Sequence, residues 1–156
     1  MTRYTVNNRN TLLSIPWYVT ALTVTANSCN DNTITAVDLS SFKFLRSVVI
    51  GNSCFKYVRI LSIVGLNWLE SVSIGDNSFG SDGSLWEGSE FKIVNCPQLK
   101  SLSIGGRSFG RYNGFELSHL PQLNYVTIAS SYGYGHGFQY ARNAVFRGMN
   151  DGRDGL

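Results

Sequence analysis

Apolar and polar residues alternate in short runs along this chain, and the runs recur. The segments Leu45–Phe55, Leu69–Phe79, Leu99–Phe109 and the shorter Leu123–Ala129 align position by position, and a weaker copy covers Val19–Cys29. Their leading residues are separated by 26, 24, 30 and 24 positions, so the underlying period is 24. A second motif begins eight residues before each leading Leu: Val37–Phe42, Leu61–Leu66, Phe91–Cys96 and Phe115–Leu120, with Ala144–Met149 opening a sixth copy. Both motifs alternate with period two, the mark of half-buried strands. Gly51, Gly75 and Gly105 supply one turn of each repeat, and Asn67, Pro97 and Pro121 the other.

A single repeat cannot bury its own apolar residues. Stacked at ~4.8 Å per coil, the two segments predict two parallel ladders around one continuous core. The expected fold is a β-rich solenoid of about five coils, each ~24 residues long with two short parallel strands. Residues 1–18 are expected to cap it, 19–149 to form the repeats and 150–156 to be a flexible tail. In the cap, Trp17 is expected to act as the lid over the first coil, and Pro16 cannot extend a ladder.

Composition sharpens this picture. With 156 residues the chain makes one domain or one short repeat array. Charged residues are only 15%, below the ~25% usual for soluble chains. Gly, Ser, Asn and Thr replace them, which suits strands and turns and leaves little room for exposed helix. Apolar runs of three or four residues fall far short of the ~20 a membrane helix needs. The first residues contain no secretion-type apolar stretch. Cys29, Cys54 and Cys96 have no paired spacing, so neither a disulfide framework nor a zinc site is expected. Cys29 and Cys96 fall in core columns, and Cys54 parallels Ser78 and Ser108. A reduced, cytoplasmic chain is the simplest expectation.

The unit Leu-x-x-(Leu/Val)-x-Ile-x-x-(Asn/Ser) closely resembles the leucine-rich repeat signature, and among those repeats it is most similar to the irregular protist type. The resemblance covers roughly residues 19–149. The family's Asn position is occupied by Asn27 and Asn77, but by Ser53, Arg107 and Ser131 in the other copies. The resemblance implies a short right-handed array that binds partners, usually proteins, through its concave face.

On the first strand of each repeat the outward columns should read Ala21/Thr23, Ser47/Val49, Ser71/Ser73, Ser101/Ser103 and Tyr125/Thr127. Beside them Arg46, Glu70 and Lys100 alternate in sign and would pair weakly across coils. Tyr125 is the one large anchor on this face. Two insertions fall at the same phase of the repeat, Gly80–Glu90 and Tyr132–Tyr140. They should emerge on one flank, ~10 Å apart. There Trp86, Glu87, Tyr132, Tyr134, His136, Phe138 and Tyr140 either form an aromatic binding cluster or cover the open end of the core.

Candidate chemistry is sparse. Of the two histidines, His119 lies beside a turn and His136 in a Gly-rich loop, and no spacing holds either against a base or a metal. The outward columns of the second strand contain no paired carboxylates, and Gly105–Gly110 lacks the Lys-Ser/Thr ending of a phosphate loop. The expectation is therefore a non-enzymatic protein-interaction module without cofactor or metal. Two alternatives stand beside it. One is a carbohydrate- or nucleic-acid-binding solenoid using the aromatic flank and the C-terminal half, whose seven Lys and Arg outnumber three acids from residue 91 onward. The other is a fragment of a longer repeat protein. Homodimerisation through a terminal strand edge is also expected, because no amphipathic helix is available to cover the last coil.

Overall fold

The computed structural model describes residues 1–81, 83–129 and 143–148. The short apolar alternations fold as strands, and among the described residues the only helix is the five-residue α1 (Arg9–Leu13). One parallel sheet holds β1 (Arg3–Val6), β2 (Ala21–Val24), β4 (Ser47–Ile50), β6 (Ser71–Ile74), β8 (Ser101–Ile104) and β10 (Tyr125–Ile128), in that order. The other, also parallel, runs β3 (Ala36–Asp38), β5 (Ile60–Val64), β7 (Trp86–Val94), β9 (Tyr112–Ser118) and β11 (Asn143–Arg147). From β2 onward, each repeat contributes one strand to each sheet.

Register follows the apolar columns. Leu22, Val48, Val72, Leu102 and Val126 pair in one row of the first sheet, and Val24, Ile50, Ile74, Ile104 and Ile128 in the next. In the second sheet Val37, Leu61, Phe91 and Phe115 align, as do Ile63, Ile93 and Leu117. A register slip of one residue would turn every one of these side chains to the opposite face, so the core holds the register. Buried residues from both sheets form a single apolar cluster. At ~25 cal/mol per Å² of buried apolar surface this cluster is the main stabilising term.

The turn after each first-sheet strand is built identically in four repeats. Asn27, Ser53, Asn77 and Arg107 have φ of 59°, 58°, 56° and 65°, and Cys29, Phe55, Phe79 and Phe109 have φ of 60°, 57°, 56° and 59°. A left-handed Phe is conformationally costly. Stacking offsets it: Phe55, Phe79 and Phe109 form a column with ring centroids 5.1 and 4.7 Å apart. Between the two left-handed residues lies a buried column of Ser28, Cys54, Ser78 and Ser108. The Ser78 hydroxyl accepts from the Cys54 N–H at 3.1 Å and donates to the Gly51 carbonyl at 3.0 Å. Ser108 repeats this toward Ser78 N–H and the Gly75 carbonyl, at 3.1 and 2.6 Å. This hydroxyl ladder satisfies buried backbone groups between repeats. Gly105 stands where a Cβ would run into the backbone of Gly75 and Asp76.

The N-terminal segment differs from expectation. Residues 3–6 add a strand to the first sheet, and Asn8 and Thr11 close a reciprocal capping box on α1. Trp17 is 69% exposed and does not act as a lid; Val6 is buried here, with Leu12 and Ile15 packed against the core. The three cysteines are free and buried, as the core columns of Cys29 and Cys96 implied for those two.

Candidate functional site

The sites expected from sequence divide sharply. Trp86 does not stand out on the flank: it is 5% exposed. Gly80 turns with φ 63° and has no side chain where the Trp86 ring lies, so the indole packs against the backbone there. Its amide donates to the Arg111 carbonyl at 2.8 Å and its ring meets buried Tyr112 at 6.2 Å. Tyr112 donates to the Val58 carbonyl at 2.6 Å, and burial raises its phenol well above the usual value. The first insertion thus closes over the core instead of presenting its Trp. Glu87 is exposed beside it, and Tyr125 is 70% exposed on β10. Tyr132, Tyr134, His136, Phe138 and Tyr140 lie outside the described residues.

The outward columns of the first sheet fall where alternation placed them. Thr23, Val49, Ser73 and Ser103 are exposed, and Ala21, Ser47, Ser71 and Ser101 half-buried. His119 occupies a turn with φ 55° in line with Gly65, Asn95 and Gly148, and its amide donates to the Arg147 carbonyl at 2.6 Å. That is a structural position.

A surface that sequence reading passed over lies at the turns leading into the first sheet. Each is closed by an amide three residues on: Val19 to Pro16, Leu45 to Phe42, Leu69 to Leu66, Leu99 to Cys96 and Leu123 to Leu120. The third residue of each turn is therefore equivalent, and these read Tyr18, Phe44, Trp68, Gln98 and Gln122. The aromatics among them are 49%, 47% and 48% exposed. Trp17 joins them, its ring 5.3 Å from Tyr18 and 5.9 Å from Phe44. The signal was available in the residue just before each leading Leu, masked because Pro and Asn beside it mark only a turn.

A third surface is a cleft of about 440 Å³ on the opposite turns, lined by Asn30, Tyr57, Asn77, Lys56, Arg107 and Arg111 among others. Arg111 lies 4.1 Å over the Trp86 ring and Arg59 4.9 Å over the same ring. Burial and then the Arg59 charge push the Arg111 guanidinium below its usual value. Burial raises the thiol of Cys29 to about 11, with Cys54 adding to it, and burial also raises those of Cys54 and Cys96. Such thiols are poor nucleophiles.

Among the described residues no group of His, Cys, Asp and Glu could hold a metal ion, and no helix is long and apolar enough to cross a membrane. No family model, curated protein or solved structure matches the chain.

Proposed function

We propose that the chain is a short right-handed solenoid of the leucine-rich repeat kind and works as a non-enzymatic protein-interaction module. Its docking surface is the turn column Tyr18–Phe44–Trp68 together with Trp17. The observation that carries this reading is the repeated half-exposure of Tyr18, Phe44 and Trp68 on consecutive repeats, ~4.8 Å apart along the stack, with the more exposed Trp17 beside Tyr18. Monomeric proteins seldom leave such aromatics in a row, and Trp and Tyr dominate the energetics of protein interfaces. Arg46, Glu70 and Lys100 lie two residues further on in their repeats and supply a mixed-sign polar rim. Small Ser and Thr residues beyond them let a partner's backbone approach.

The test is a paired capture experiment in extract of the producing cells, with wild type and a Phe44→Ser, Trp68→Ser double variant. Both side chains are half-exposed, so circular dichroism should stay unchanged while a specific partner is lost. The same partners on both proteins would overturn the assignment.

A further inference from the structure

We infer that the cleft formed by Lys56, Arg107 and Arg111 is a binding site for a small ligand carrying more than one phosphate group. The observations are independent of the aromatic column and lie at the other turns of the repeat.

Cations from two repeats converge on this cleft. Lys56 follows the turn after β4, and Arg107 and Arg111 belong to the turn after β8. The two turns are two repeats apart, so the charges spread over ~10 Å along the stack. A single phosphate would meet one end only; two or more phosphates can meet both. The described residues lining the cleft include no carboxylate, and its neutral members, Asn30, Tyr57, Asn77 and Ser81 among them, bring amide and hydroxyl groups to the walls. Arg59, outside the cleft lining, holds a further positive charge against the Trp86 ring that Arg111 also covers.

The guanidinium of Arg111 is held in place before any ligand arrives. Its Nε donates to the Ser84 carbonyl at 2.7 Å and its plane rests on Trp86, which is itself fixed against Gly80. The terminal nitrogens then remain for a fork-shaped contact with an oxyanion, the geometry in which arginine binds phosphate best. Arg59 and Arg111 lie over one indole ring, so their charges add in the positive potential that an anion at Arg111 meets. Asn30 stiffens the wall, donating to the Ser53 carbonyl and accepting from the Lys56 N–H, both at 2.9 Å. The first insertion, which brings Trp86 under Arg111, is thus what equips this flank with a preset cation.

Isothermal titration calorimetry of the full chain with tripolyphosphate at low salt tests the site, with orthophosphate and a random-sequence DNA duplex as further arms. Expected are 1:1 binding of tripolyphosphate, weaker binding of orthophosphate, and weakening as salt is added. Lys56→Glu, an exposed position, and Arg111→Gln should each weaken tripolyphosphate binding about tenfold or more. Lys92→Glu makes the same charge change as Lys56→Glu on β7, away from the cleft lining, and should leave the affinity unchanged. No heat with tripolyphosphate, an equal loss in Lys92→Glu, or binding of the duplex alone would overturn the proposal.

Discussion

The two sheets grow from one repeat yet differ in regularity. In the first sheet β2, β4, β6 and β8 are all four residues long, share one burial pattern and pair without a register shift. In the second, β3, β5, β7 and β9 have three, five, nine and seven residues, and the register shifts between Trp86 and Glu90. The extra residues of the third repeat are absorbed entirely on the second side. A parallel stack tolerates this because each strand needs only its neighbour's register, not an equal path around the core. Regularity thus sits where backbone ladders are tight, and side-chain variety sits where the path is loose. The turns of the regular sheet carry the repeated aromatic column, and the irregular flank carries the Trp86–Arg111 arrangement.

Breaking the regular side should cost most. Phe79→Ala removes a fully buried ring stacked between Phe55 and Phe109. We expect a loss of about 3–5 kcal/mol in urea unfolding. A loss under about 1 kcal/mol would mean that the column is not packed as described. Ser78→Ala comes next, because it strands both the Cys54 N–H and the Gly51 carbonyl inside the stack. About 1–3 kcal/mol should disappear, read from the same unfolding curves. On the irregular side Tyr112→Phe keeps the ring and deletes only the bond to the Val58 carbonyl. Its cost should be about 1 kcal/mol, and a larger value would make the insertion as tightly locked as the regular ladder.

Alkaline pH sharpens the comparison without mutation. Burial raises the thiol of Cys29 from 9.0 to about 11 and the phenol of Tyr112 well above 10.0. Above pH ~9 the unfolded chain therefore releases protons that the native chain keeps, and the slope of stability with pH is negative. The stability from Cys29 is present below pH ~9 and is lost as pH rises through about 11, and that from Tyr112 is present below pH ~10 and is lost only above it. Unfolding midpoints across that range should fall, and a C29S variant should flatten the first part of the decline. Smallest of all, Ser73→Thr on the exposed face of the first sheet should change stability by no more than about 0.5 kcal/mol.

Most of the strand pattern was legible because a repeated Leu/Val/Ile column can face only one way once strands stack. From β2 onward the strands of the first sheet lie within the predicted segments, whereas each second-sheet strand begins before its predicted segment and ends inside it. The burial of Cys29 and Cys96 followed from their core columns too, while that of Cys54, aligned with Ser78 and Ser108, did not. The first strand, Arg3–Val6, was not legible: with Val6 its sole buried residue, it shows no column of its own. Nor was the fate of Trp86, which depends on Gly80 turning the chain back onto the core. An insertion read as a flank loop looks the same in sequence whether its Trp points outward or inward. Of the Ser28–Cys54–Ser78–Ser108 ladder the sequence showed only that Cys54 parallels Ser78 and Ser108, not that the column is buried and bonds to the backbone.

The central claim is that partners dock on the turn column and not on the strand end at Tyr125. Site-specific photo-crosslinking tests it most directly. A benzoylphenylalanine placed at Phe44 should yield a covalent adduct with a partner protein in extract, and one placed at Tyr125, which is more exposed, should yield none. An adduct from position 125 alone would contradict the account.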